Sequence, residues 1–548
     1  MKTKKLTFNF FTILFFGLTS FSIASCELNA SSESLEYILS SDGASYIVSG
    51  IGNVTDKEII IPSTYEDKPV TSIGWGAFKD CSKIQSIAFP SSITNIEPFA
   101  FNECSSLTNV VLPDGVTNIE KSTFQNCTSL TSVTLGNETT IIDDYAFYGC
   151  KSLSDINLPD SVKEIGDYVF YSCEKLNSIN IPNGVTSIGS GTFNGCITLN
   201  DIVIPDSVKE ISDGLFVSCK SLKNIQLGSG IITIGDDAFK ECNLLKEIII
   251  PDSVVGIGES VFRNCESLTD VTIGKNVKKI DNYAFIYCTS LSKIVIPDSV
   301  TNMGISTLYG CSSLKDVTLS NNLKAINDYT FKKCTSLEKI DIPSNITSIG
   351  IQSFIECNSL KEIHFNEGLK SIGDNAFENC YSLESINLPN GFKTIGKYAF
   401  NNCTALKSIE FNDEFYSLDD YSFANCTSLK EISIPNGVRE IPRYSFFNCS
   451  SLETIKLGDG LDSIETHAFD SCVSLKTIII NKYLRKVDKQ AFEHCNPLKN
   501  LYYKGTFEEW TKVFIITTGN ESLLNATNIV YSYNEENFYI PKNKYSLF

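Results

Sequence analysis

The chain has 548 residues, 42% of them hydrophobic, with 45 basic against 64 acidic side chains. A formal charge of -19 argues against a nucleic-acid binder, because a phosphate backbone is held by lysine and arginine. Three histidines leave little for metal or acid–base chemistry, and 20 cysteines in this length fall far below the density of a short disulfide scaffold.

Residues 1–25 read as a targeting segment rather than as part of the fold. Lys2, Lys4 and Lys5 form a basic start, and an apolar run follows from Leu6 to about Leu18. The run is short for a membrane span of about 20 residues. Ile23-Ala24-Ser25-Cys26 resembles a bacterial lipobox, in which the cysteine is lipidated and becomes the mature N-terminus. The plainer alternative is simple secretion with cleavage after Ala24 or Ser25. Lipidation at Cys26 would anchor the chain firmly, each buried methylene contributing about 0.8 kcal/mol.

Residues 26–69 are expected to form a β-rich cap over the first repeat. Tyr37, Leu39, Tyr46 and Val48 flank Ser41-Asp42-Gly43, a hairpin signal.

From residue 70 to about 500 one period governs the chain. Nineteen cysteines, from Cys81 to Cys495, follow one another at intervals of 23 residues without insertion or deletion. A fixed period of this length means a solenoid of about nineteen coils. Three residues before each cysteine stands Phe, with Leu308 as the one exception, and three after it stands Leu, with Ile84 as the variant. A 23-residue coil cannot bury its own apolar face, so stacking must give each Phe, Leu and Ile a like neighbour above and below. Leu-x-x-Ile-x-Ile predicts a parallel strand with polar residues between inward ones. At about 4.8 Å per strand, nineteen coils extend roughly 90 Å. Pro, recurring nine residues after the cysteine as at Pro159 and Pro205, should end the strand. Sixteen residues after it Gly recurs (Gly235, Gly258, Gly373) beside Asp281 and Asn327, types that tolerate positive φ. Pro442 holds that place once, which implies one coil that turns differently. Ala-Phe-x-x-Cys fits a short helical turn on the outer side. A second period of 46 residues alternates Pro205, Pro251 and Pro297 with Gly228, Gly274 and Ser320, as duplication of two-coil units would produce; a surface alternating every second coil is the functional alternative.

The repeated Cys-x-x-Leu-x-x-Ile-x-Ile-Pro-x-x-Val-x-x-Ile-Gly-x-x-Ala-Phe resembles the leucine-rich repeats of the BspA-like surface protein family. The flanks Tyr46–Gly52 and Tyr502–Thr506 with Trp510 resemble that family's leading and closing segments. The resemblance implies a right-handed superhelix with a parallel sheet on one side and short helical turns on the other. It also implies export, and binding or adhesion at a cell surface. Residues 501–548 are expected to supply a terminal cap, through Trp510, Val513, Phe514 and Ile515, and then a loose tail from 533.

Candidate chemistry is sparse. The cysteine ladder reads as reduced, buried thiols, since parallel side chains in one column do not face each other and nineteen is odd; an exported chain leaves disulfides as the alternative. His494 beside Cys495 suggests a thiol–imidazole pair only weakly, since adjacent residues rarely face each other. His467 and His494 lie one coil apart and out of register. Seventeen residues after successive cysteines stand Asp144, Asp167, Ser190, Asp213, Asp236 and Glu259, whose acids read as caps of the outer turn, with calcium as the alternative. Asn-Cys-Thr sequons at Asn126 and Asn425 arise from the repeat and are read as unused. No catalytic residue, metal site or cofactor is expected, and the chain is not expected to be an enzyme.

The expected working surface is the polar side of the strand column, five and seven residues after each cysteine. It carries Asp155, Asn157, Asn180, Asp201, Asn224, Gln226, Asp270, Thr272, Asp316, Thr318, Glu362 and His364. A broad protein partner, such as host matrix or another cell, suits this face; a merely solvated sheet on a structural envelope spacer is the alternative. Nucleic acid is not expected as a partner, and a membrane only through the lipid anchor.

Overall fold

A computed structural model describes residues 34–534. The signal-like segment, Cys26 and the end of the tail lie outside the described residues. Among these, the chain forms one uninterrupted stack of coils with a single continuous apolar core.

Most coils contribute two strands, not one. In the coil that starts at Cys150, the first strand is Asp155–Asn157 and the second Glu164–Ile165. Both pair in parallel and in register with residues 23 positions away, as in Ser132↔Asp155 and Ile141↔Glu164. The first strand follows the expected alternation, with Ile156 buried between exposed Asp155 and Asn157. The second was not foreseen, because two residues are too few to show a period of two.

The third side of the coil is not helical. Its residues make tight turns in which alternate N–H groups bond within the coil and to the next one. Tyr148 N–H donates to the Tyr145 carbonyl (3.0 Å) and Cys150 N–H to the Phe147 carbonyl (3.1 Å), while Tyr145, Phe147 and Gly149 donate to Asp167, Val169 and Tyr171 of the following coil. This outer wall therefore satisfies its backbone as a ladder does. Left-handed residues fall five and one before the cysteine, as at Tyr145 (58°), Gly149 (70°), Asn375 (55°) and Asn379 (62°).

That placement corrects the reading of the glycine column. Gly235, Gly258 and Gly373 do not have positive φ. Glycine serves there by lacking a side chain: a Cβ on Gly235 would lie 2.3 Å from the Asp213 carboxylate of the preceding coil. Pro442 in the same column therefore needs no special turn, and Glu440–Ile441 before it pairs in register with Ser463–Ile464.

The core follows the predicted columns. Stacked Phe rings from Phe78 to Phe285, and again from Phe331 to Phe492, stand 5.0–5.7 Å apart within 2–17° of parallel. Leu308 interrupts the column and is itself fully buried.

The two-coil period has a physical basis. Gly228 lies against Pro205 of the coil before it, where a Cβ would come within 2.4 Å of the proline carbonyl oxygen; Gly274 stands likewise at 2.3 Å from Pro251. The Asp after each such proline reaches the same neighbour. Asp206 accepts from Ser229 N–H (2.6 Å), Asp252 from Lys275 N–H (3.0 Å) and Asp298 from Asn321 N–H (2.8 Å). The first-sheet ladder follows suit, Asp201–Val203 pairing with Asn224–Gln226 and Glu247–Ile249 with Asp270–Thr272.

Both ends are closed by strands. β1 (Glu36–Leu39) and β2 (Tyr46–Gly50) form the expected antiparallel hairpin, with Gly43 at φ 69° in its turn. β3 (Glu58–Ile60) begins the first sheet, and β5 (Lys68–Ile73), after the short β4 (Thr64–Tyr65), joins the second. At the far end Phe514–Ile515 extends the second sheet and Asn528–Val530 the first. Between them a one-turn helix, Phe507–Trp510, starts on a capping box of Thr506 and Glu509 and lays Trp510 edge-on to the buried Tyr503.

Candidate functional site

The predicted polar residues are brought together on the outer face of the first sheet. Asp155, Asn157, Asp201, Asn224, Gln226, Asp270, Thr272, Asp316, Thr318, Glu362 and His364 occupy first strands with exposed side chains. Asn180 lies on the same face in a segment that is not a strand. Ser178–Asn180 keeps only a single bridge, Ser178↔Asp201, to the next coil.

That interruption opens a groove of about 520 Å³ lined by Asp155, Asn157, Asn180, Asp201, Asn224 and Gln226, with Glu247 at its edge. Ile179 and Ile181 remain buried beneath it. The groove coincides with a break in the two-coil alternation. Pro159, Pro182 and Pro205 occur in three successive coils with no intervening glycine or polar residue. This run of prolines was a legible signal that the column reading passed over.

The groove is acidic and amide-rich. Asn224 donates its amide to the Asp201 carboxylate at 2.5 Å. None of the described lysines or arginines forms an ion pair with Asp155, Asp201 or Glu247. Farther along, charges are paired instead. Lys361–Glu338 (3.0 Å), Lys407–Glu384 (2.6 Å) and Lys476–Glu453 (2.8 Å) run beside the strands, and each lysine holds its partner's carboxyl below the usual range by donating to it. His364 meets Asp341 at 2.7 Å within this stretch.

The face is also less polar than its sequence suggested. Val203, Ile249 and Val295 are 52, 69 and 44% exposed, one in every second coil, between Gln226, Thr272 and Thr318. The strict 46-residue spacing of this stripe is present in the sequence.

The remaining candidates resolve differently. The thiols from Cys104 to Cys472 are free and buried, and each donates to the carbonyl of the residue three before the preceding cysteine, as Cys265 Sγ does to Phe239 at 3.1 Å. Burial pushes the Cys265 thiol up to about 12. The acid column seventeen residues on does not cap its own turn. Asp144 accepts from Asp167 N–H (2.9 Å) and Asp213 from Asp236 N–H (2.8 Å), so each carboxylate ties its coil to the next. His467 and His494, apart in register, both reach the carboxylate of Asp470.

Stacked 23-residue coils with Leu and Phe columns and a parallel first sheet define a leucine-rich repeat solenoid. Six overlapping matches to the BspA type leucine rich repeat region cover residues 53–177, 163–291, 232–350, 278–407, 324–436 and 393–515. The chain belongs to that family. A leucine-rich repeat protein from Bacteroides ovatus is 32% identical, with 69% of this chain and 98% of that one covered and a TM-score of 0.61. The leucine-rich repeat protein of T. pallidum is 27% identical over 43% of this chain and 89% of that one, with a TM-score of 0.31. No curated protein sequence matches the chain.

Proposed function

We propose that this chain is an exported, non-catalytic protein of a bacterial cell surface that binds protein partners, or mediates adhesion, through the outer face of its first sheet. The observation that carries the reading is the groove over Ser178–Asn180. Its acids Asp155, Asp201 and Glu247 have no cationic partner among the described residues, while the amides of Asn157, Asn180, Asn224 and Gln226 stand beside them. Such a surface suits a partner that brings ammonium, guanidinium or amide donors. The Val203–Ile249–Val295 stripe adds apolar area for the same partner. The basic and apolar start of the chain and the lipobox-like Ile23–Cys26 support export, with Cys26 as lipid anchor. The absence of catalysis is inferred from the thiols, whose protons are committed to backbone carbonyls in the core.

The test is attachment of the purified mature chain to matrix proteins and to other cells, against a variant carrying Asp155→Lys and Asp201→Lys. Binding that the variant loses, and that weakens as salt rises, is the expected result. Equal attachment by both, or none by either together with unchanged adhesion of a deletion strain, rejects the reading. The second reading, a structural spacer of the envelope, draws on the unbroken Cys ladder and the nearly continuous Phe column, and requires every phenotype to survive the charge reversal.

A further inference from the structure

The outer wall of the last two coils gathers side chains that the binding face does not use. His467 and Asp470 stand five and two residues before Cys472, and Glu493 and His494 two and one before Cys495. His467 Nδ1 lies 2.8 Å from Asp470 Oδ2 and 3.5 Å from Glu493 Oε2. One ligand atom from each of the three falls within 4.8 Å of the others. Their orientations are fixed from outside the cluster. The His467 ring stacks on Tyr444 at 4.6 Å, and Gln490 donates to Glu493 Oε2 at 2.8 Å. His494 Nδ1 and the Ser471 hydroxyl lie 2.9 Å from the other oxygen of Asp470.

Charge is the reason to look further. Asp470 is only 4% exposed, and no described lysine or arginine forms an ion pair with it or with Glu493. A carboxylate withdrawn from water needs a compensating charge. Here that is either a proton on an imidazole or a cation bound between the ligands. The spacing bears on the choice. A tetrahedral ion with bonds of about 2.0–2.1 Å separates its ligand atoms by roughly 3.3–3.4 Å. The observed 2.8 and 3.5 Å from His467 bracket that value, and the three ligand atoms together lie within 4.8 Å. One imidazole and two carboxylates favour a borderline transition ion over calcium or magnesium, which prefer all-oxygen shells.

We propose that His467, Asp470 and Glu493 form a binding site for a divalent transition-metal ion, zinc by ligand chemistry, that staples the last coil to the one before it. Asp470 and His467 come from one coil and Glu493 from the next, so the ion spans the interface. His494 is a positioning residue that holds Asp470 through its second oxygen. The staple stands near the C-terminal end of the stack, just before the closing strands Phe514–Ile515 and Asn528–Val530. The inference does not depend on the partner-binding reading.

The experiment uses the mature full-length chain, stripped with chelator under reducing conditions and titrated with zinc chloride by calorimetry, with cobalt(II) absorption as a second readout. One saturable site per chain at micromolar zinc is expected, with a cobalt spectrum free of a thiolate charge-transfer band. Glu493→Gln and His467→Gln should each weaken zinc at least about tenfold, and His364→Gln should change nothing. Glu493 is partly exposed, so its variant keeps the test informative if a change at the buried Asp470 prevents folding. No saturable uptake, uptake unchanged in Glu493→Gln, or a thiolate band placing the ion on Cys495 overturns the proposal; the first of these means that the cluster is balanced by protons alone.

Discussion

A cysteine in each coil is there for its size and its single weak donor. The Phe239 carbonyl accepts from Cys242 N–H of its own coil at 3.1 Å and from Cys265 Sγ of the next at 3.1 Å. Alanine would leave a small void and remove one of the two donors to that carbonyl. Cys265→Ala should therefore cost about 1–2 kcal/mol of local stability, read as faster amide exchange in the coils on either side. Alkylation of the native chain should modify Cys81 and Cys495, the two partly exposed ends of the column, and spare Cys104 to Cys472 until denaturant is added. At this scale the sequence was most legible for residues that repeat, because nineteen copies average out local accident. It was least legible for His467 and His494. Their columns are separate on paper, and only the close stacking of the outer turns carries both to Asp470.

Elements in this fold are held across coils rather than within them. The Pro-Asp corner depends on a carboxylate that accepts the next coil's N–H, and that bond holds Asp206 and Asp252 below the usual carboxylate range, with the Lys275 ammonium contributing first at Asp252. A depressed folded value means that the contribution is complete above about pH 3.9, the ordinary value for aspartate, and fades as pH falls through the lower one. Asp206→Asn and Asp252→Asn should thus lower the melting temperature at neutral pH, and the gap to the parent should close in acid. Gly228→Ala should be costlier than an ordinary glycine-to-alanine change, because its Cβ meets the Pro205 carbonyl at 2.4 Å with rigid backbone on both sides; limited proteolysis at that corner would report it. The glycine columns show why sequence reading went astray here. Gly235 and Gly228 mark close approach, whereas the left-handed places hold Tyr, Asn, Ser and Glu as well as Gly. Those residues pay for strain that repeated inter-coil hydrogen bonds over-determine.

For the whole molecule, stability is a sum of coil interfaces, and those interfaces come in two kinds. Deleting residues 251–296 removes a complete Pro-plus-Gly pair and sets Gly228 before Pro297, preserving the alternation. Deleting only 251–273 sets Gly228 before Gly274 and deprives Lys275 N–H of the Asp252 carboxylate. The shorter deletion should melt at the lower temperature although it removes half as many residues. The run Pro159, Pro182 and Pro205 is one place where the chain departs from alternation, as Pro90 and Pro113 are another, and in it the first-sheet ladder thins to a single bridge at Ser178. Coil count and core columns could be read from periodicity, and the leading hairpin from its turn signal Ser41-Asp42-Gly43. The groove could not, since it arises from three neighbours meeting in space.

The paired coil also acts as a ratchet for reach. Near-identical tandem segments in a gene invite slippage, and only slips of whole pairs leave every corner with its accustomed neighbour. A lineage could then lengthen or shorten this rod in steps of roughly 10 Å, two strand spacings at a time, without redesigning a single contact.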